Sequence, residues 1–174
     1  MITLGQAQAQ STLAAPAASI DLADWMFTLS SDAYAACAEG HQSAAQARLP
    51  SGKRVSINVE VVAGFFMVQH YVEDLSERAH VRAVSPNTIL WINDELFVLA
   101  QITWELRLVA LDDVRSELTC VVIVETEDEA LARTAAANNA GLDPSETPLQ
   151  RHVDEETPLF AKDIERKALA GTWT

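Results

Sequence analysis

The segment from Leu96 to Thr126 constrains the fold more than any other part of this chain. Its first half carries apolar side chains at the even positions Val98, Ala100, Ile102, Trp104, Leu106 and Leu108. Polar side chains stand between them at Gln101, Thr103, Glu105 and Arg107. A period of two over a dozen residues is typical of a half-buried β-strand. An acidic turn at Leu111–Asp113 and a second strand over Glu117–Glu125 complete a predicted long hairpin.

Length and charge limit the class of protein. The chain has 174 residues, enough for one domain with a sizeable core, and a formal net charge of −13. A protein this acidic repels the phosphates of nucleic acids and of anionic membranes, so neither is expected as a partner. No apolar run reaches the ~18 residues of a membrane span.

The cysteines and the N-terminal segment indicate in which cellular compartment the protein is expected. Cys37 and Cys120 are the only cysteines, which suits a reducing compartment where buried thiols pack as small apolar groups. Residues 1–19 are rich in Ala, Gln and Ser and lack the regions of a signal peptide. We expect a cytoplasmic protein with a flexible N-terminal tail over residues 1–19, a single domain over residues 20–170 and a C-terminal tail over residues 171–174.

Helix and strand signals alternate along the rest of the chain. Asp21–Leu29 fits a helix or a strand, and two short helices are predicted at Ala33–Ala38 and Gln42–Ala47. Further strands are predicted at Val55–Val61, Phe65–Glu73, Arg78–Val84 and Thr88–Ile92, with turns at Asp74–Glu77 and Ser85–Asn87. A helix follows from about Glu127 to Asn139. The final helix carries apolar residues at Val153, Phe160, Ile164 and Ala168, and Pro158 either starts it or kinks it.

Several segments carry a resemblance to a known superfamily over roughly Asp21 to Ala170. They are Gly64–Tyr71, His80–Pro86, the hairpin around Trp104–Leu106, and Glu155–Pro158 with Ile164–Arg166. Together with the order of the elements, they resemble the SRPBCC superfamily of START domains, birch-pollen-allergen-like proteins and polyketide cyclases. The resemblance implies an α+β helix-grip fold, with a curved antiparallel sheet of six or seven strands wrapped around a long C-terminal helix. It also implies a cavity for apolar or aromatic molecules between sheet and helix.

His70 is the first candidate functional residue. If Asp74–Glu77 forms the hairpin turn, odd residues such as Tyr71 face water, and Phe66 and His70 face the core. Trp104 lies on the apolar face of its own strand, so Phe66, His70 and Trp104 are predicted to line one ligand-binding space. An imidazole there would hydrogen-bond a ligand or move a proton, while the simpler alternative is a core histidine bonded to a backbone carbonyl. Trp104 is likewise a wall for an aromatic ligand or plain core.

No metal and no other cofactor are expected. A non-haem iron site needs two histidines and a carboxylate that converge, and the predicted register puts His70 and His80 on opposite faces. His41 and His152 are far off in sequence, in predicted helical or loop regions. The sequence contains no glycine-rich phosphate loop, nucleophile elbow or Cys-x-x-Cys pair, so catalytic residues remain unassigned.

Three functions stay open. The leading interpretation is a container that binds a small hydrophobic or aromatic molecule, with weak catalysis at most. The second is a cyclase-, aromatase- or hydrolase-like enzyme that uses His70 or Tyr71 as acid or base. A strongly perturbed histidine pKa would favour this alternative. The third is a homodimeric interaction module without ligand. An interior filled by side chains, together with a large two-fold contact, would favour this alternative.

Overall fold

The computed structural model describes residues 1–93 and 95–173. Its strands are β1 Ile2–Leu13, β2 His41–Arg48, β3 Arg54–Val62, β4 Phe65–Glu77, β5 His80–Asn93, β6 Leu96–Ala110 and β7 Ser116–Thr126. Its α-helices are α1 Leu22–Thr28, α2 Ser31–Ala35, α3 Glu129–Asn139 and α4 Pro148–Leu169. All seven strands form one antiparallel sheet in the order β1-β7-β6-β5-β4-β3-β2. Among the described residues, no helix is long and apolar enough to cross a membrane.

The predicted α+β helix-grip arrangement is confirmed, with a curved sheet of seven strands and a long C-terminal helix. The helix buries the four residues of its predicted apolar face, Val153, Phe160, Ile164 and Ala168. Thr147 caps α4 by accepting a hydrogen bond from the backbone nitrogen of Gln150, and Pro158 lies inside the helix. An amphipathic helix of this length covers the apolar face that a sheet cannot leave in water.

The N-terminal segment predicted to be a flexible tail is instead strand β1. It pairs with β7 from Ile2 to Leu13, and Ala7 and Leu13 are buried in the core. Small side chains on this strand let α4 approach closely, since a Cβ added at Gly5 would lie 3.2 Å from Leu149 Cδ2. Alternation of Ala and Gln is a weak apolar signal, which explains why the sequence did not reveal a strand.

The other end of the chain is also held in place. Trp173, within the predicted C-terminal tail, donates a hydrogen bond from Nε1 to Asp24 Oδ2 at 2.8 Å. Residue 174, the last of that predicted tail, lies outside the described residues. The bond joins the chain end to helix α1.

Two predictions near the N-terminus are resolved by the structure. The ambiguous segment Asp21–Leu29 contains helix α1, and the Asp21 side chain caps it by accepting a hydrogen bond from the backbone nitrogen of Asp24 at 2.9 Å. The predicted helix at Gln42–Ala47 is wrong, because these residues belong to β2, which pairs with β3. Alanine favours a helix locally, but pairing with a neighbouring strand overrides that preference.

The hairpin between β4 and β5 turns later than predicted. Strand β4 continues through the expected turn Asp74–Glu77, and Glu77 pairs with His80. The segment Ser85–Asn87 is a register shift inside β5 rather than a turn. Bulges that insert residues in this way curve the sheet, and each one moves the following side chains to the opposite face.

Three aromatic rings join the helices to the concave side of the sheet. The Trp25 ring of α1 lies 5.1 Å from the Phe160 ring of α4 and 6.1 Å from the Trp104 ring of β6, between centroids. Trp25 Nε1 also donates to Asp163 Oδ2 at 2.9 Å. Buried aromatic pairs in edge-to-face geometry add to the stability that burial alone provides, so this group anchors α4 over the sheet.

Candidate functional site

A cavity of about 740 Å³ lies between the concave face of the sheet and helices α3 and α4. Most of its wall is apolar, with Met67, Leu90, Ile102, Val122, Val124, Leu131 and Leu149 among the lining residues. Polar side chains also line it, and the buried ones are Tyr34, Asn58, Glu60, Gln69, Tyr71 and Glu156, with His152 beside them. An apolar cavity of this size with a few convergent polar groups is typical of small-molecule sites.

Of the three residues predicted to line this space, only Trp104 does so. Phe66 is 42% exposed. Both Phe66 and His70 lie on the outer face of β4. Their neighbours Gln69 and Tyr71 occupy the inner face. The predicted placement was wrong because the hairpin turn was placed too early, and a register error exchanges the two faces of a strand.

Two histidines and two glutamates meet at the buried end of the cavity: His41 on β2, Glu60 on β3, and His152 and Glu156 on α4. We call these four residues the His–Glu cluster. His41 Nε2 lies 3.3 Å from Oε2 of Glu60 and 3.3 Å from Oε2 of Glu156. His152 Nε2 lies 3.5 and 3.4 Å from the same two oxygens. His41 and His152, which are far apart in sequence, therefore meet in the folded protein.

Neighbouring groups orient the cluster. His41 Nδ1 lies 2.8 Å from the backbone carbonyl of Tyr34, which only accepts, so Nδ1 carries a hydrogen and Nε2 faces the carboxylates. The Tyr34 ring stacks on the imidazole of His41, with 3.9 Å between the centroids. The Tyr34 hydroxyl donates to Glu60 Oε2 at 2.7 Å, and the Gln69 amide donates to Glu60 Oε1.

The charges of the cluster are strongly coupled. Burial disfavours a charged imidazole, but the carboxylates of Glu156 and Glu60 outweigh it and raise the pKa of His41 to about 9 and that of His152 to about 10. Burial also opposes ionisation of Glu60, yet the two histidines hold its pKa well below its usual range. Burial, followed by the charges of Glu60 and Glu156, raises the pKa of Tyr71 well above its usual value. Tyr71 is therefore a neutral hydrogen-bond donor at physiological pH.

Sequence reasoning missed the cluster, although half of it has a local signal. His152 and Glu156 are four residues apart on α4, a spacing that places both on one helix face. His41 and Glu60 carry no comparable signal, because they meet only through the pairing of β2 with β3, and the sequence predicts a helix over most of β2. The ligand atoms of His41, His152 and Glu156 all lie within 4.8 Å of one another, so these residues could hold a metal ion.

Comparison with solved structures finds the same fold in proteins of low sequence identity. The Zhui aromatase/cyclase from Streptomyces sp. R1128 matches with a TM-score of 0.59 and 16% identity, over 93% of this chain and 94% of that one. A protein from Thermus thermophilus matches with a TM-score of 0.59 and 12% identity, over 96% and 99% of the two chains. The di-domain ARO/CYC StfQ from the steffimycin biosynthetic pathway matches with a TM-score of 0.53 and 15% identity, over 91% of this chain and 45% of that one.

Neither the protein-family models nor the curated proteins contain a match to this chain. At the identities found among solved structures, the likeness shows the fold alone. The chain has the helix-grip fold that its sequence predicted.

Proposed function

We propose that the protein binds a small hydrophobic or aromatic molecule in the cavity between the sheet and α4. The observation that carries this proposal is the cavity itself, about 740 Å³ with a mostly apolar wall. Trp104 and Phe160 line it with aromatic rings 5.5 Å apart. Rings of this kind favour contact with flat apolar or aromatic ligands.

The polar groups of the cavity indicate how such a molecule is oriented. The Tyr71 hydroxyl donates a hydrogen bond to none of the described residues, and it remains protonated. Asn58 Oδ1 accepts from Ser56 Oγ at 2.7 Å, which leaves the Asn58 amide nitrogen to donate. Two donors beside the carboxylates of Glu60 and Glu156 favour a neutral ligand with a carbonyl or hydroxyl oxygen at this end.

A neutral fluorescent probe, N-phenyl-1-naphthylamine, tests the proposal. We expect saturable binding of one probe per chain, with a rise in probe emission and quenching of tryptophan emission. Ile102→Trp places an indole in the cavity and should weaken binding at least tenfold. Val109→Trp, on the exposed side of the same strand, should leave binding unchanged. An absence of saturable binding, or equal loss in both variants, would contradict the proposal.

The cyclase-, aromatase- or hydrolase-like alternative stays a prediction. Of its two suggested acid/base residues, His70 points away from the cavity, whereas Tyr71 lines it. Because its pKa is raised, Tyr71 would serve as a hydrogen-bond donor to a substrate oxygen rather than as a base.

The homodimeric alternative also stays a prediction. The outer face of the sheet carries Phe66, Trp91 and Phe97, with 5.6 and 6.0 Å between successive ring centroids. Phe97 is 53% exposed. Light scattering of the wild type and of Phe97→Ser measures whether this surface joins two copies of the chain.

A further inference from the structure

We propose that the His–Glu cluster binds one divalent transition-metal ion, of which Zn²⁺ is the representative. The inference does not depend on the identity of the cavity ligand. Nε2 of both histidines and Oε2 of both glutamates form a ring with nitrogen–oxygen separations of 3.3, 3.3, 3.4 and 3.5 Å. Ligand atoms about 2.0–2.1 Å from a tetrahedral Zn²⁺ lie about 3.3–3.4 Å apart. The four edges of the ring thus already match four of the six ligand–ligand separations of a tetrahedral site, and the ligand atoms of His41, His152 and Glu156 all lie within 4.8 Å of one another.

The surroundings hold the ligand atoms in the orientation that a metal needs. Metal-binding histidines usually donate their other ring N–H to a carbonyl or carboxylate, and His41 Nδ1 does so to the backbone of Tyr34. Glu60 is held through both oxygens by the Tyr34 hydroxyl and the Gln69 amide. Such partners lower the cost of ordering the ligands before the ion arrives.

One atom of the cluster is left without a hydrogen bond. His41 Nε2 is fully buried and has no hydrogen-bond partner among the described residues, because its two neighbouring carboxylates lie outside hydrogen-bond geometry. A buried polar atom of this kind calls for an explanation such as a water or an ion. An ion at the centre of the ring would give His41 Nε2 a partner.

Charge and donor type select the class of ion. Glu60 and Glu156 place two carboxylates where they are only 6% and 5% exposed, and a divalent cation that displaces the protons of the two imidazoles balances them. Mixed imidazole and carboxylate ligands suit Zn²⁺ and its first-row neighbours, whereas Ca²⁺ and Mg²⁺ prefer oxygen alone.

An ion has a route to the cluster. Glu60, His152 and Glu156 line the main cavity. His152 also lines a second cleft of about 510 Å³, beside Gly40 and Arg151. A metal held here would adjoin the space proposed for the apolar ligand.

Zinc binding to the full chain tests the proposal directly. Protein stripped with EDTA is dialysed against Zn²⁺ and, in parallel, titrated with Co²⁺ while its visible absorption is recorded. We expect one zinc per chain and the intense visible bands of four-coordinate cobalt. His152→Gln and Glu156→Gln should each weaken zinc binding about 100-fold or more, beyond the effect of changing an outer partner.

The other two histidines of the chain provide matched controls. His70 and His80 are half-buried and lie outside the cluster, so His70→Gln and His80→Gln should bind zinc as the wild type does. Circular dichroism establishes whether each variant is folded. If a cluster variant does not fold, the titration of the wild-type protein alone decides whether the chain binds zinc. Failure of folded wild-type protein to retain zinc after gel filtration, or equal loss in the control variants, would overturn the proposal. Binding of N-phenyl-1-naphthylamine is measured separately on the EDTA-stripped protein. A failure of zinc binding can therefore be told apart from a failure of the apolar-ligand proposal.

Discussion

The two tyrosines of the chain allow a matched test of how strongly buried Glu60 depends on its neighbours. Both Tyr34 and Tyr71 are buried beside the cavity. The Tyr34 hydroxyl donates to Glu60 Oε2 at 2.7 Å, whereas the Tyr71 hydroxyl donates to none of the described residues. Replacing each with Phe removes one oxygen and keeps the ring.

The two substitutions should differ in cost. A hydrogen bond to a charged group contributes about 1.5–3 kcal/mol, and the bond from Tyr34 is short and shielded from water. Glu60 keeps its bond from Gln69 and its contacts with the histidines, so we expect Tyr34→Phe to lower the free energy of unfolding by about 2 kcal/mol. Tyr71→Phe loses no bond within the protein and should cost about 0.5 kcal/mol or less.

Urea unfolding at pH 7 in the presence of EDTA measures both values without a contribution from bound metal. Tryptophan fluorescence and far-UV circular dichroism should give coincident transitions. With a slope of about 2 kcal/mol per molar urea, Tyr34→Phe shifts the midpoint down by about 1 M. Equal shifts for the two variants, or a shift below about 0.2 M for Tyr34→Phe, would refute the proposed dependence of Glu60 on Tyr34.

Three further perturbations follow from the packing and the charges. Phe160→Ala should lower the free energy of unfolding by about 3–5 kcal/mol in the same urea assay, because its ring is fully buried between α4 and the sheet; a cost below about 1 kcal/mol would contradict this packing. Cys37 and Cys120 should resist a disulfide-exchange reagent at pH 8 until urea is added, since burial raises the pKa of Cys37 to about 12 and that of Cys120 well above its usual value; rapid labelling of either native thiol would count against their burial. Burial opposes ionisation of Glu73, but Arg54 lowers its pKa to about 2, below the unfolded value, so this stabilisation is present above about pH 5 and is lost as pH falls toward 2. Because solvent screens this partly exposed pair, Glu73→Gln should cost about 1 kcal/mol at pH 7 and only a small part of that once the pH falls below about 2, and a cost that is independent of pH would exclude the ion pair as its source.

Periodicity alone determined the two elements that define the fold. In β6 the even-numbered residues Ile102, Trp104 and Leu106 are buried as predicted. In α4 the apolar residues such as Phe160 and Ile164 face the core as predicted. Each element buries one face along much of its length, and the geometry of the strand or helix then dictates the repeat that the sequence must carry.

The inner face of β4 depended on details that periodicity does not contain. Register shifts on either side of Val72 keep β4 in the sheet past the expected turn. Tyr71 therefore faces the cavity, and His70 faces away. Alternation specifies which residues share a face, but only pairing with the neighbouring strands decides which face is inside.

The His–Glu cluster was decided by tertiary structure. His152 and Glu156 share a helix face through their spacing, and that much is visible in the sequence. They meet His41 and Glu60 only if β2 is a strand and if α4 packs across the sheet in the position that brings His152 and Glu156 beside β2 and β3. Neither condition has a local cause, because contacts between residues distant along the chain arise from the packing of whole elements rather than from the propensities of the residues that meet.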